Sequence, residues 1–221
     1  MLNHQKAMRS FIITVTCFVP TIAFLSPTTC KNIQHQNTLS TSSLKVISPL
    51  AVGDAEENLQ TLYNDQITRE FEASQLYLSA SIWCDQHELV GMGAYMRAES
   101  DEERNHGLMF VDFAMKRSLP LTLSSINSPP NSWASPEVLW KDVLNCEKAN
   151  SQSISNLADA AIKCQDHSTV AFLQPFHLEQ VNSMDKLSTI LAKVRDENQT
   201  PGLLRQLDYE LGNEASAHGS A

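Results

Sequence analysis

Acidic residues are absent from the start of this chain: no Asp or Glu occurs from Met1 to Gly53, where Lys6, Arg9, Lys31 and Lys45 are the only Lys or Arg residues. The rest is short of the opposite sign. Setting that segment aside leaves 12 basic residues against 25 acidic ones, a net charge of −13. Such a balance disfavours nucleic acid or an anionic membrane as a partner and suits a protein that handles cations. Cysteine is scarce too: beyond Cys17 and Cys30 in the acid-free segment there are only Cys84, Cys146 and Cys164, at no motif spacing. That excludes a disulfide framework and a thiolate metal motif, and leaves the three as small buried apolar residues. The one apolar run, Phe11 to Pro20, is too short to span a bilayer comfortably. A hydrophobic content of 42% in 221 residues is still enough for one domain with a sizeable core, plus an appendage.

The appendage is residues 1–53, expected to be a bipartite targeting leader that is removed. Lys6 and Arg9 ahead of the apolar run follow signal-peptide grammar. From Ser26 to Pro49 the chain is rich in Ser and Thr, with a proline near each end and no acid, as in a transit peptide. The Ala23-Phe24 step between the two resembles the leaders of algae with complex plastids. Plastid targeting is therefore the expectation, and the alternative is ordinary secretion followed by a disordered stretch.

From Asp54 the pattern is helical throughout. Leu59, Leu62, Tyr63, Gln66, Glu70, Tyr77, Ser81 and Cys84 recur at steps of three, four or seven, predicting a first helix from about Asp54 to Gln86. A second is expected after a break at Gly91-Met92-Gly93, ending near Ser118. Leu119 to Ser135, with Pro120, Pro129 and Pro130 and no periodicity, reads as a loop. Ser135-Pro136-Glu137 supplies an N-cap, a first-turn proline and an early carboxylate for a third helix to about Lys163. Its seam is Trp140, Val143, Glu147, Asn150, Ile154, Leu157 and Ala161. The fourth, from about Ser168 to Arg195, turns Leu173, Phe176, Gln180, Ser183, Leu187, Ile190 and Val194 inward, with a kink expected at Pro175.

Helices of this length, about 40 Å at 1.5 Å per residue, predict an all-α four-helix bundle over residues 54–200. The short links make helices one and two, and three and four, antiparallel pairs. The long loop can run the length of the bundle, making helices two and three parallel, a one-crossover topology. Residues 201–221 are expected to hold a short fifth helix fading by Gly212, then a flexible tail.

Polar residues interrupt every seam at a similar depth. Glu103 and His106 form a Glu-x-x-His pair on a face that also carries Met92, Tyr95, Met96, Phe110 and Phe113, and a charge there needs a counter-ion, a proton or a metal. Glu70, Glu99, Glu147 and Gln180 lie at matching levels. Any one alone reads as a satisfied core polar group. Together they form an oxygen-rich set with one imidazole, which suits iron or manganese better than structural zinc, and carboxylates bridging two cations would relieve their repulsion.

The stretches Asn64-Asp65-Gln66-Ile67-Thr68-Arg69-Glu70, Glu102-Glu103-Arg104-Asn105-His106-Gly107 and Phe172-Leu173 through Glu179-Gln180-Val181 resemble a ferritin, over about residues 56 to 204. The similarity is greatest to plastid-targeted algal ferritins. It implies that Glu70, Glu103 and His106 form a first ferroxidase iron site. Glu103 would bridge to a second iron held by Glu147, with Gln180 beside it and Tyr77 close by. Glu99 and Glu102 would pass iron toward or away from that centre. It implies iron and oxygen as substrates, two irons per subunit, and a 24-subunit cage that stores mineral.

Departures refine this expectation. Gln180-Val181-Asn182-Ser183 stands where bacterioferritins carry a second Glu-x-x-His, so no haem is expected. Ser183 also replaces a carboxylate of some relatives, so a third iron site should be weak. Val170 and Leu173 match the acidic threefold-pore positions of animal ferritins. Two other readings stand beside the ferroxidase: a shell subunit that nucleates mineral but oxidises iron poorly, and a different diiron enzyme acting on an organic substrate.

Overall fold

The computed structural model describes residues 49–196 and 202–218; most of the expected leader, residues 1–48, lies outside the described residues. Five helices account for nearly all the described chain: α1 (Pro49–Gln86), α2 (Val90–Lys116), α3 (Pro136–Lys163), α4 (His167–Asp196) and α5 (Leu203–His218). No strand occurs among the described residues, and no helix there is long and apolar enough to cross a membrane.

Side-chain pairings fix the directions. Along α1, the long loop is held successively at Asn64, whose Oδ1 accepts from the Thr122 N–H, at Glu72, which accepts from Asn127, and at Ser79, which donates to the Pro130 carbonyl. The Trp133 ring then meets Trp83 edge-on. The loop thus climbs α1 from its first half to its end, and delivers α3 to run back antiparallel to it. Since α2 also runs antiparallel to α1, α2 and α3 are parallel, as the loop length predicts. On the remaining side α2 and α4 meet antiparallel through long side chains, Phe172 against Phe113 and Phe176 against Phe110.

Local chemistry explains the boundaries. At α3 the Ser135 side chain accepts from the Val138 N–H, with Pro136 in the first turn and Lys163 in the last. The ends of α1, α2 and α3 share one device that lacks glycine. Glu88, Ser118 and Gln165 adopt left-handed φ values of 58°, 54° and 56°. The N–H of the residue after each, Leu89, Leu119 and Asp166, returns to Cys84, Ala114 and Ala161, the Schellman pattern.

Two expectations are corrected here. The break expected at Gly91-Met92-Gly93 lies earlier, at His87 to Leu89, and both glycines are inside α2. They are there for proximity: a Cβ on Gly91 would sit 1.8 Å from the Asp208 carbonyl oxygen of α5. Likewise the fifth helix does not fade at Gly212 but continues to His218. Gly212 lies against Gly91, where a Cβ would stand 3.0 Å from the Gly91 Cα, so this glycine marks a helix crossing and not a stop. Asp208 also caps α2, accepting from the Met92 N–H at 2.7 Å. Pro175, where a kink is expected, lies within the continuous span of α4 and on its exposed face.

The core divides in two. One apolar cluster, with Trp83, Tyr95, Trp140, Leu187 and Leu211, fills the end covered by α5. The other, with Tyr63, Ile67, Phe110, Leu157 and Phe176, fills the opposite end. Between them lie the buried polar residues Gln66, Glu70, Glu103, His106, Glu147, Asn150 and Gln180, drawn from all four bundle helices.

Candidate metal centre

In that middle layer α1 contributes Glu70, 1% exposed and clamped from both sides. Gln66 Nε2 donates to its Oε1 at 2.7 Å, and Asn150 Nδ2 donates to its Oε2 at 3.0 Å. The clamp closes on itself, since Gln66 also donates to Asn150 Oδ1 at 2.6 Å. Helical spacing makes this possible: Gln66 and Glu70 are one turn apart, with Asn150 on the facing helix.

Helix α2 contributes the pair that the sequence singles out. His106 Nδ1 lies 3.3 Å from Glu103 Oε2, and its Nε2 lies 3.0 Å from Glu179 Oε1 of α4. One ligand atom from each of Glu70, Glu103 and His106 falls within 4.8 Å of the others, and all three residues are buried. Glu147 of α3, also 1% exposed, accepts from the Tyr77 hydroxyl at 2.6 Å and from Gln180 Nε2 at 3.0 Å. Glu103 shares a ligand group with Glu70 and His106, and the Glu147 carboxylate is near enough for its charge to act on Glu103 as well.

The electrostatics follow from that crowding. Burial, then the nearby Glu147 and Glu70 carboxylates, pushes Glu103 well above the usual carboxylate range, against the pull of His106. Burial also raises Glu147, although Tyr77 and Gln180 hydrogen-bond its charged form. For His106 burial works downward, but the Glu103 and Glu179 carboxylates overcome it and hold the imidazole at about 11. These directions agree on one point: three buried carboxylates around one imidazole carry excess negative charge, and the layer takes up protons to relieve it. Divalent cations would relieve it as well. The buried Gln180 Oε1 has no hydrogen-bond partner and is a further oxygen donor beside Glu147. An oxygen-rich donor set with one imidazole fits iron.

The six residues Glu70, Tyr77, Glu103, His106, Glu147 and Gln180 are therefore brought together. Two others differ. Glu102 is exposed, and joins His106 and Glu179 in a second group whose ligand atoms lie within 4.8 Å of one another. Glu99 is half-buried, pushed up to about 7 by burial against a Tyr95 hydrogen bond and the Lys186 ammonium. Leu173 is wholly buried against the second apolar cluster, so it does not line a pore; Val170 and Ser183 are half-buried. Sequence reasoning missed Glu179, whose signal was its place beside Gln180: it lies off the apolar seam by one residue yet is long enough to reach His106.

A family profile described as Ferritin-like domain matches residues 60–196. This chain belongs to the ferritin family. Among solved structures it is similar to apo-ferritin from Pseudo-nitzschia multiseries, at 57% identity and a TM-score of 0.67, over 69% of this chain and 98% of that one. A variant of PmFTN soaked in iron matches with the same identity, coverage and TM-score. Among bacterial ferritins, Ferritin BfrB of Mycolicibacterium smegmatis is 29% identical over 76% of this chain and 91% of its own. The non-heme ferritin of Bacteroides fragilis is 30% identical over 63% of this chain and 87% of its own.

Proposed function

We propose that this ferritin is a ferroxidase: it oxidises Fe(II) with oxygen at a dinuclear site within each subunit and stores the product as Fe(III) mineral inside a hollow 24-subunit oligomer. One observation carries the reading. Glu103 groups with Glu70 and His106 and also feels the Glu147 carboxylate, which supports its role as the one carboxylate that would bridge two ions. Glu70 and His106 complete the first site, and Glu147 with Gln180 the second. Tyr77 orients Glu147 through its hydroxyl, and each Fe(II) gives up one electron to oxygen. Binding requires His106 to shed its proton, so iron uptake releases protons. Exposed Glu102 and half-buried Glu99 would serve passage of iron and not its oxidation.

The intact buried cluster favours this over a catalytically weak shell subunit, and the lack of a second Glu-x-x-His disfavours haem or an oxygenase. Glu103→Ala removes the bridge and is expected to cut the initial rate of oxygen uptake after Fe(II) addition by at least about tenfold, the equivalent of 1.4 kcal/mol. Uptake at the wild-type rate would overturn the assignment. For residues 1–53 we propose plastid delivery, with secretion as the alternative. A fluorescent fusion of that segment retained in the secretory pathway would contradict plastid delivery.

A further inference from the structure

Glu99 of α2 is largely buried, and the charges of Glu102 and Glu147 act on it. It is not left to a metal. Lys186 of α4 places its ammonium 3.8 Å from Glu99 Oε1 and 2.5 Å from Glu214 Oε1 of α5. The same ammonium stands 4.4 Å from the Tyr95 ring centroid, a cation–π position. One positive group from α4 is thus held by a carboxylate and an aromatic face of α2 and a carboxylate of α5. Ser183, one turn earlier on α4, offers no carboxylate that would tip this spot toward a divalent ion.

We propose that Lys186 is a built-in cation that occupies the place beside Glu99 and so confines metal binding in each subunit to the buried cluster. The inference rests on the dinuclear reading of that cluster. Its physics is simple competition: the ammonium is tethered and pays no association cost, whereas a metal ion must displace it and then sit near an uncompensated positive charge. Glu99 then passes iron onward without retaining it. An isolated exposed ion pair would have little such effect, but Glu99 is only 18% exposed and Lys186 34%.

The test is anaerobic titration of the assembled protein with Co(II), which binds without turnover, followed by crystallography of the Co(II)-soaked protein. Wild type and Lys186→Arg, which keeps the charge, are expected to bind two ions per subunit. Lys186→Gln is expected to bind three, with anomalous density between Glu99 and Glu214. An unchanged count in Lys186→Gln, or an ion at Glu99 in the wild type, overturns the proposal. Since Lys186 also ties α4 to α5, Glu214→Gln provides a second variant that leaves the ammonium in place; it should keep the wild-type count, and a third ion there would count against Lys186. The dinuclear reading is judged by the wild-type count and this inference by the difference between variants, so the two fail separately.

Discussion

Glu103 is held by opposing demands. Its neighbours Glu70 and Glu147 repel its charge while His106 attracts it, and burial tips the balance toward the proton. That has a consequence for stability without metal. A carboxyl raised in the folded state gives its full contribution below the unfolded value of 4.5, and loses it as pH climbs through the folded value. His106 contributes fully below 6.5 and loses that contribution toward about 11. Both act in one direction, so metal-free protein is predicted to melt at lower temperature at pH 8 than at pH 5.5. Each kcal/mol lost moves the midpoint by about 2–4 °C in a chain of this size. Scanning calorimetry checks it, and Glu103→Gln should flatten the difference; a midpoint that rises with pH would show that the cluster holds no excess protons. These residues were legible in the sequence because a charge on an apolar seam is conspicuous. Glu179 and Lys186 were not, because long side chains can reach inward from positions that the periodicity marks as solvent-facing.

Among the elements, the seams were the easiest feature to read. All seven positions of the α3 seam are buried, and on α4 only Ser183 is not fully so. The helix ends were harder, because three of them close on Glu88, Ser118 and Gln165 in a conformation usually marked by glycine, while the glycines that drew attention serve helix contact. Both facts can be tested. Gln165→Gly removes the cost of a left-handed L-residue at an exposed site and should stabilise the protein by about 0.5–1 kcal/mol in urea unfolding. An equal loss would mean that the side chain itself secures the turn. Gly91→Ala forces a methyl group into the Asp208 carbonyl and should cost about 1–3 kcal/mol, with α5 becoming the first segment cut in limited proteolysis. Unchanged protease resistance would show that α5 can shift at no cost.

At the scale of the whole molecule, two apolar clusters grip a polar layer from either end, and that layer holds the candidate metal centre. The architecture places an expensive cluster of charge where four helices and their packing hold it in register. Topology was readable from loop length alone, since a proline-rich stretch without periodicity had to cover the bundle's length. The docking of α5 was not, because it depends on a close approach of Gly91 and Gly212, which looks like punctuation in one dimension. The central claim is that each subunit pairs two irons across Glu103. Stopped-flow absorbance after stepwise aerobic addition of Fe(II) to the assembled protein tests it most directly: the fast phase should grow linearly and saturate at about two irons per subunit, and a fast phase that saturates at one, or never appears, would contradict the account.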